Sequence, residues 1–228
     1  MKHVLKRTMS FLTLRQLRQF IGNSAVMHKF ADRYGLVYFG SIEPEDESRL
    51  VKGITLSNTY RDAHYLVGTA HGRDMIFLQR SDILRSALHK RREHYTWNIL
   101  AFDLAPHLRL PHIYIEGRSR HGHGFYEMLA MKKREFAELP LQFLAQYDPL
   151  FSRRFMVHLP ASAVTEFSQL VNPERAAIVA HHFHMFDYEF LGDMLYVYVL
   201  SPHPTLSQLE LMLQAGVWLA GELEKASC

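Results

Sequence analysis

The chain has almost no cysteine. Cys228 is the single thiol, so no intramolecular disulfide can form, which fits a reducing compartment. Its place at the very end makes it a poor catalytic nucleophile, which needs a rigid surround. Long apolar runs are also missing, and no stretch approaches the length that spans a bilayer. Arg15 and Arg18 interrupt the basic N-terminal stretch, so it lacks the apolar core of a signal peptide. These absences predict a cytosolic, soluble protein. Nor is one sign of charge in excess: 26 Lys and Arg face 23 Asp and Glu, for a net charge of +3. That balance does not mark a dedicated nucleic-acid binder, although local patches can matter. Catalytic templates are missing too. Gly68 and Gly72 do not form a phosphate-binding loop, and there is no Gly-x-Ser-x-Gly elbow or His-Glu-x-x-His pair.

What is present suffices for a core: 48% of the 228 residues are hydrophobic and 12% aromatic. The most informative stretch is 181–200, HHFHMFDYEFLGDMLYVYVL. It reads as two strands about a Leu191-Gly192-Asp193 turn. Alternation puts Phe186, Tyr188 and Phe190 on one face and Asp187 and Glu189 on the other, which is expected to be wet. His182 and His184 fall in register with the aromatic face. The second strand, Met194 to Leu200, is apolar on both faces, as a covered central strand should be.

Residues 11–21 form one expected amphipathic helix and 24–34 a second, with Ser24 as cap and Gly35 as the C-terminal stop. Strands are expected at 36–39, 63–70, 75–79, 94–104, 110–115 and 151–159. Residues 41–49 and 116–124 read as loops, 81–92 as helix or basic loop, and 125–138 as a helix. Two short helices follow Pro160, the second started by Asn172 and Pro173. Thr205 with Gln208 makes a capping-box pattern ahead of a helix through Glu224, which would bury Leu206, Leu209, Leu213, Val217, Ala220 and Leu223. The expected fold is α+β: a largely antiparallel sheet, helices at the N- and C-terminal ends, and a short helical pair before the final hairpin. Residues 1–35 are read as an N-terminal helical segment and 36–228 as a single domain.

The order FSRRFMVHLP, SQLVNPERA, DYEFLGDMLYVYVL and a C-terminal helix, with the Gly72-Arg73 and Trp97 strands before it, resembles a family of bacterial conserved proteins of unknown function. Members often carry N-terminal membrane segments, which this chain lacks. The resemblance spans roughly 36–224, rests on structural motifs, and implies no activity and no site residues.

Candidate sites come from side-chain chemistry. His182 and His184, with His181 beside them, can chelate a transition metal if His158, His203 or Asp187 completes the set; the alternative is a hydrogen-bonded pair at a helix end. His121 and His123, with Arg118 and Arg120, sit in a glycine-rich loop that is either a ligand wrap or simply mobile. Lys90, Arg91 and Arg92 form the densest positive run and are candidate anion or nucleic-acid contacts, alone or with 132–134 and 153–154; the alternative is solvated loops. Tyr95 and Trp97 can stack on bases but suit a core better. The basic helix within residues 1–22 can lie on an anionic membrane, on a partner or on this domain. The leading reading is a non-enzymatic interaction or scaffold domain with a protein partner, peripherally associated with a membrane or a larger complex. One alternative is a metal-binding hydrolase using His182 and His184 as ligands and Asp187 or Glu189 as base. Another is weak nucleic-acid binding. No cofactor is expected other than a metal at the histidine pair.

Overall fold

Helix starts written in the sequence are used as read. In a computed structural model describing residues 14–40, 51, 53–55, 60–85, 92–105, 108–118 and 135–225, Asn172 Oδ1 accepts from Arg175 N at 2.8 Å. Thr205 Oγ1 likewise accepts from Gln208 N at 3.2 Å. The elements, in chain order, are α1 (Leu14–Tyr34), β1 (Val37–Gly40), β2 (Arg61–Ala70), β3 (Arg73–Arg85), β4 (Arg92–Asp103), β5 (Leu110–Gly117) and β6 (Phe136–Glu138). Then come α2 (Leu141–Leu144), α3 (Pro149–Arg154), β7 (Phe155–Pro160), a 3₁₀ turn (Ala161–Ala163), α4 (Val164–Leu170), α5 (Pro173–His182), β8 (Asp187–Gly192), β9 (Met194–Leu200) and α6 (Leu206–Lys225). The described strands make one nine-stranded sheet in the order β1-β2-β3-β4-β9-β8-β5-β7-β6, and the paired neighbours run antiparallel. This is the expected α+β class.

Several local expectations change. Residues 14–34 form one continuous helix where two were expected. No break occurs at Gly22-Asn23-Ser24, because Asn23 turns its amide inward to Gln79 Oε1 (2.9 Å) and Pro202 O (2.8 Å). Gly35 stops the helix at φ +69, as read. Residues 81–85 and Arg92 are neither helix nor loop; they prolong the β3–β4 hairpin, with Arg85 opposite Arg92. Phe136–Glu138 is strand, pairing with β7, where a helix was expected; residues 119–134 lie outside the described set, as do the expected loop 41–49 and His121 and His123. The first part of the strand expected at 151–159 is helix α3, begun by Asp148 accepting from Phe151 N (2.7 Å) and by Pro149. The β2–β3 connection is a two-residue turn in which His71 and Gly72 both have positive φ (52 and 75), the geometry that matches strand twist.

The described helices lie on one face of the sheet. Phe77, Leu100, Phe102, Val157, Tyr188, Phe190 and Val197 point to that side and meet Met27 and Phe30 of α1, Phe167 of α4, Val179 of α5, and Leu213 and Leu219 of α6 in one apolar core. Of the six residues read as the buried stripe of α6, Leu209, Leu213, Ala220 and Leu223 are buried, while Leu206 and Val217 are half-buried. The buried band is wider than that stripe, because Met212, Ala215, Gly216 and Leu219 join it.

Gly216 is what lets α6 approach β4. A Cβ there would sit 2.1 Å from Phe102 Cε2 and 2.6 Å from Cζ. Gly216→Ala would gain about 1 kcal/mol of helix propensity, against an overpacking penalty of about 1–3 kcal/mol. The expected net result is destabilisation in urea denaturation, partly relieved when Phe102→Leu is combined with it.

Candidate functional site

The second face of the sheet follows from the same alternation. With Tyr188 and Phe190 turned toward the helices, Asp187 and Glu189 must point the other way. They do, but that face is dry: the two residues are 1% and 0% exposed. The expectation of a wet face is therefore corrected. Residues Val51 and Ile54 pack over it against Tyr65, Leu78, Trp97, Ile99, Tyr114, Tyr196 and Tyr198. Tyr95 and Trp97 stack there, centroids 5.2 Å apart and planes 10° apart, as core residues.

Burial removes water from several ionisable groups, so each needs a protein partner. Glu189 accepts from Ile54 N (2.8 Å) and from the Tyr198 hydroxyl, and its other oxygen lies 2.5 Å from His112 Nε2. Burial first, and the Glu189 charge next, push the Tyr198 hydroxyl well above the ordinary tyrosine range, so it remains a donor. Gly53, at φ +85, makes this clasp fit, since a Cβ there would fall 2.3 Å from the Tyr198 hydroxyl and 2.8 Å from Glu189 Oε2. Asp187 Oδ1 accepts from Gly117 N at 2.8 Å. Glu116 Oε2 lies 3.4 Å from His158 Nε2, with both side chains almost fully buried and His158 stacked on Tyr114. Tyr114 is likewise held protonated by burial and then by Asp187.

Toward the β1 edge, Arg80 and Asp62 form a fork, Nε to Oδ1 at 2.7 Å and the second nitrogen to Oδ2 at 2.5 Å, both side chains 0% exposed. The guanidinium also donates to Val51 O (3.2 Å) and Thr55 Oγ1 (3.3 Å) and lies 4.4 Å from the Tyr60 ring centroid. On the helix side, Gln79 donates to Asn98 Oδ1 (3.0 Å), and Asn98 to Ser201 O (2.9 Å). At the edge, the Tyr38 hydroxyl meets His64 Nδ1 at 2.7 Å. Burial, helped by nearby His28, pushes His64 down to about 4.

The residues singled out from sequence fall elsewhere. His182 ends α5 and His184 follows in the turn before β8; both are exposed, and neither lies on a strand. Of the suggested further ligands, His158 and Asp187 are buried on the second face, while His203 is exposed ahead of α6. Among the described residues no group of three or more His, Cys, Asp or Glu is placed to hold a metal. Lys90 and Arg91 lie outside the described residues, and Arg92 opens β4. Sequence reading missed Arg80, Asp62, Glu116 and His112. Their signal was a charged residue at the inward position of an otherwise apolar strand, visible only once both faces are known to be covered.

These features define an α+β domain whose single antiparallel sheet carries helices on one face and a buried polar and aromatic layer on the other. No family model and no curated protein matches the chain. Among solved structures it is similar to the crystal structure of the mycobacterial trehalose monomycolate transport factor A, TtfA, with a TM-score of 0.56, 9% sequence identity, and coverage of 90% of this chain and 94% of that one. At that identity the likeness shows a shared fold. No described helix is long and apolar enough to cross a membrane.

Removing one member of the buried fork leaves an uncompensated charge, so Arg80→Met is expected to lose about 3–5 kcal/mol in chemical denaturation, and Asp62→Leu combined with Arg80→Met to recover most of it. His64 supplies a pH test. Its folded value lies below the ordinary 6.5, so it stays neutral in the native state while the unfolded chain takes up a proton. Its stabilisation is whole above pH 6.5 and declines toward about pH 4, by about 3 kcal/mol for this group. The stability–pH curve of His64→Asn, which tolerates the φ of +56, should be flatter than wild type across that window.

Proposed function

We propose that this protein is a non-enzymatic interaction domain that works at a membrane surface within a transport assembly. The observation that carries the reading is the fold shared, over nearly the whole of both chains, with a protein named as a transport factor. The polar groups of the second face support it. Glu189, Asp187 and Asp62 accept hydrogen bonds from Tyr198, Gly117 and Arg80, and Glu116 faces His158 at 3.4 Å, so these groups serve to hold the domain together.

The membrane part of the reading rests on charge. Lys2, Lys6, Arg7, Arg15 and Arg18 fall within residues 1–22, and no Asp or Glu precedes Asp32. Each such cation near an anionic surface contributes about 1 kcal/mol. Interleaved with Val4, Leu5, Phe11, Leu12, Leu14 and Leu17, they suit interfacial contact.

Flotation with phosphatidylserine-containing vesicles checks this. Deleting residues 1–22, or replacing the five cations by Gln in the full chain, should weaken partitioning by at least about tenfold and remove its salt dependence. Unchanged partitioning of the Gln variant, whose fold circular dichroism can verify, would sink the membrane part of the reading.

A further inference from the structure

Among the described residues, the covering of the second face is incomplete. Val51, Ile54 and Thr55 lie over the rows that hold Arg80, Tyr65, Tyr198 and Glu189. Toward the β2–β3 turn, the same face opens. The pairing register sets Val37, Val67, Ile76, Ala101 and Tyr196 in one row across β1, β2, β3, β4 and β9. Val37 is 56% exposed, and Val67 and Ile76 are half-buried. Two residues further along the strands runs a second row on the same side: Thr69 opposite Asp74 on β2 and β3, then Asp103 opposite Met194 and Leu191 on β4, β9 and β8. Asp74 and Asp103 are exposed, Met194 and Leu191 half-buried, and Asp193 stands exposed in the β8–β9 turn. An apolar row therefore borders an acidic one.

The acids crowd one another. Burial first, then Asp193 and Asp74, raise the Asp103 carboxyl above the ordinary carboxylate range. Thr69 donates to Asp74 at 2.6 Å. Arg109 comes within 3.9 Å of Asp193, but both side chains are largely in water, so that pair neutralises little.

We propose that this strip is a docking surface for a basic amphipathic helix of a partner protein, its apolar side on Val37, Val67 and Ile76 and its cationic flank on Asp74, Asp103 and Asp193. The dimensions suit a helix. Four strand spacings from β1 to β9 span roughly 19 Å, which a helix of about 13 residues covers. Charge selects among occupants. An anionic membrane or a nucleic acid would meet the aspartates with like charge. A second copy docked symmetrically through this strip would set aspartates against aspartates. A cationic helix gains from both rows. The inference deepens the interaction reading above by naming a partner chemistry, and none of its residues falls within 1–22.

Fluorescence anisotropy with a synthetic Leu/Lys amphipathic helix tests it, with the same helix carrying Glu for Lys as control. The full chain should bind the Lys peptide in a salt-sensitive way and leave the Glu peptide free. Asp74→Asn/Asp103→Asn/Asp193→Asn and, separately, Ile76→Glu should each weaken binding by about tenfold or more. Absence of binding, or equal binding by wild type and both variants, would overturn the proposal. So would a concentration-dependent dimer in sedimentation that Ile76→Glu abolishes, since the strip would then serve a second copy. Vesicle flotation of the same preparations separates the two readings: lost peptide binding with intact flotation removes only this surface.

Discussion

Glu189 sits near the middle of a sheet covered on both faces, and much of the architecture follows from satisfying it. A carboxylate taken out of water costs several kcal/mol unless its lone pairs are met. Three different parts of the chain meet them: His112 from β5, Tyr198 from β9, and the backbone N–H of Ile54 from the segment that crosses the second face. That segment can descend so close only because Gly53 has no side chain to strike Tyr198 and Glu189. One residue thus ties the strand order β9-β8-β5 to the cover above it. A one-residue slip of β8 would turn Glu189 into the apolar core and expose Phe190 to the polar layer.

The two faces divide the work of folding. The helix side is held by shape, as Gly216 against Phe102 shows, and many hydrophobic sequences of similar volume would fill it. The other side is held by pairs that recognise one another: the Arg80–Asp62 fork, the Glu116–His158 contact, and the Asp187 acceptor on Gly117 N. Such pairs add little net stability over apolar substitutes, but each penalises a wrong register by stranding a charge. For a sheet of nine strands, whose β5 pairs with distant β7 and β8, that penalty narrows the alternatives.

How far the sequence carried this picture depends on the range of the interaction. Signals that act within a few residues were legible: Asn172 and Thr205 as caps, Gly35 as a stop, the Gly192 turn, the two-faced apolar strand Met194–Leu200, and the α+β class. Alternation correctly put Asp187 and Glu189 on one face and the aromatics on the other. Whether that face was wet depended on Val51 and Ile54, far away in sequence, and no local pattern reports such a cover. The two expected helices, 11–21 and 24–34, were separated at Ser24 because the long-range partners of the neighbouring Asn23, Gln79 and Pro202, were invisible. The histidine pair drew attention because it was adjacent in sequence, whereas the histidines that face buried carboxylates, His112 and His158, stand alone in their strands.

The same asymmetry explains where a partner could act. Among the described residues, six helices fill the helix side, and Val51 and Ile54 close the middle of the second face. Among the described residues, what stays open lies along β1 and the β2–β3 end of the second face, where Val37 is exposed and Val67 and Ile76 are half-buried. An edge strand with exposed apolar side chains is a liability for self-pairing unless charge nearby discourages it. Asp74 and Asp103 lie on β3 and β4, two and three strands in from that edge, so their charge would act on a second copy laid over the strip and not on one pairing with β1 itself. Selectivity at this strip would then come from repulsion of the wrong occupant as much as attraction of the right one.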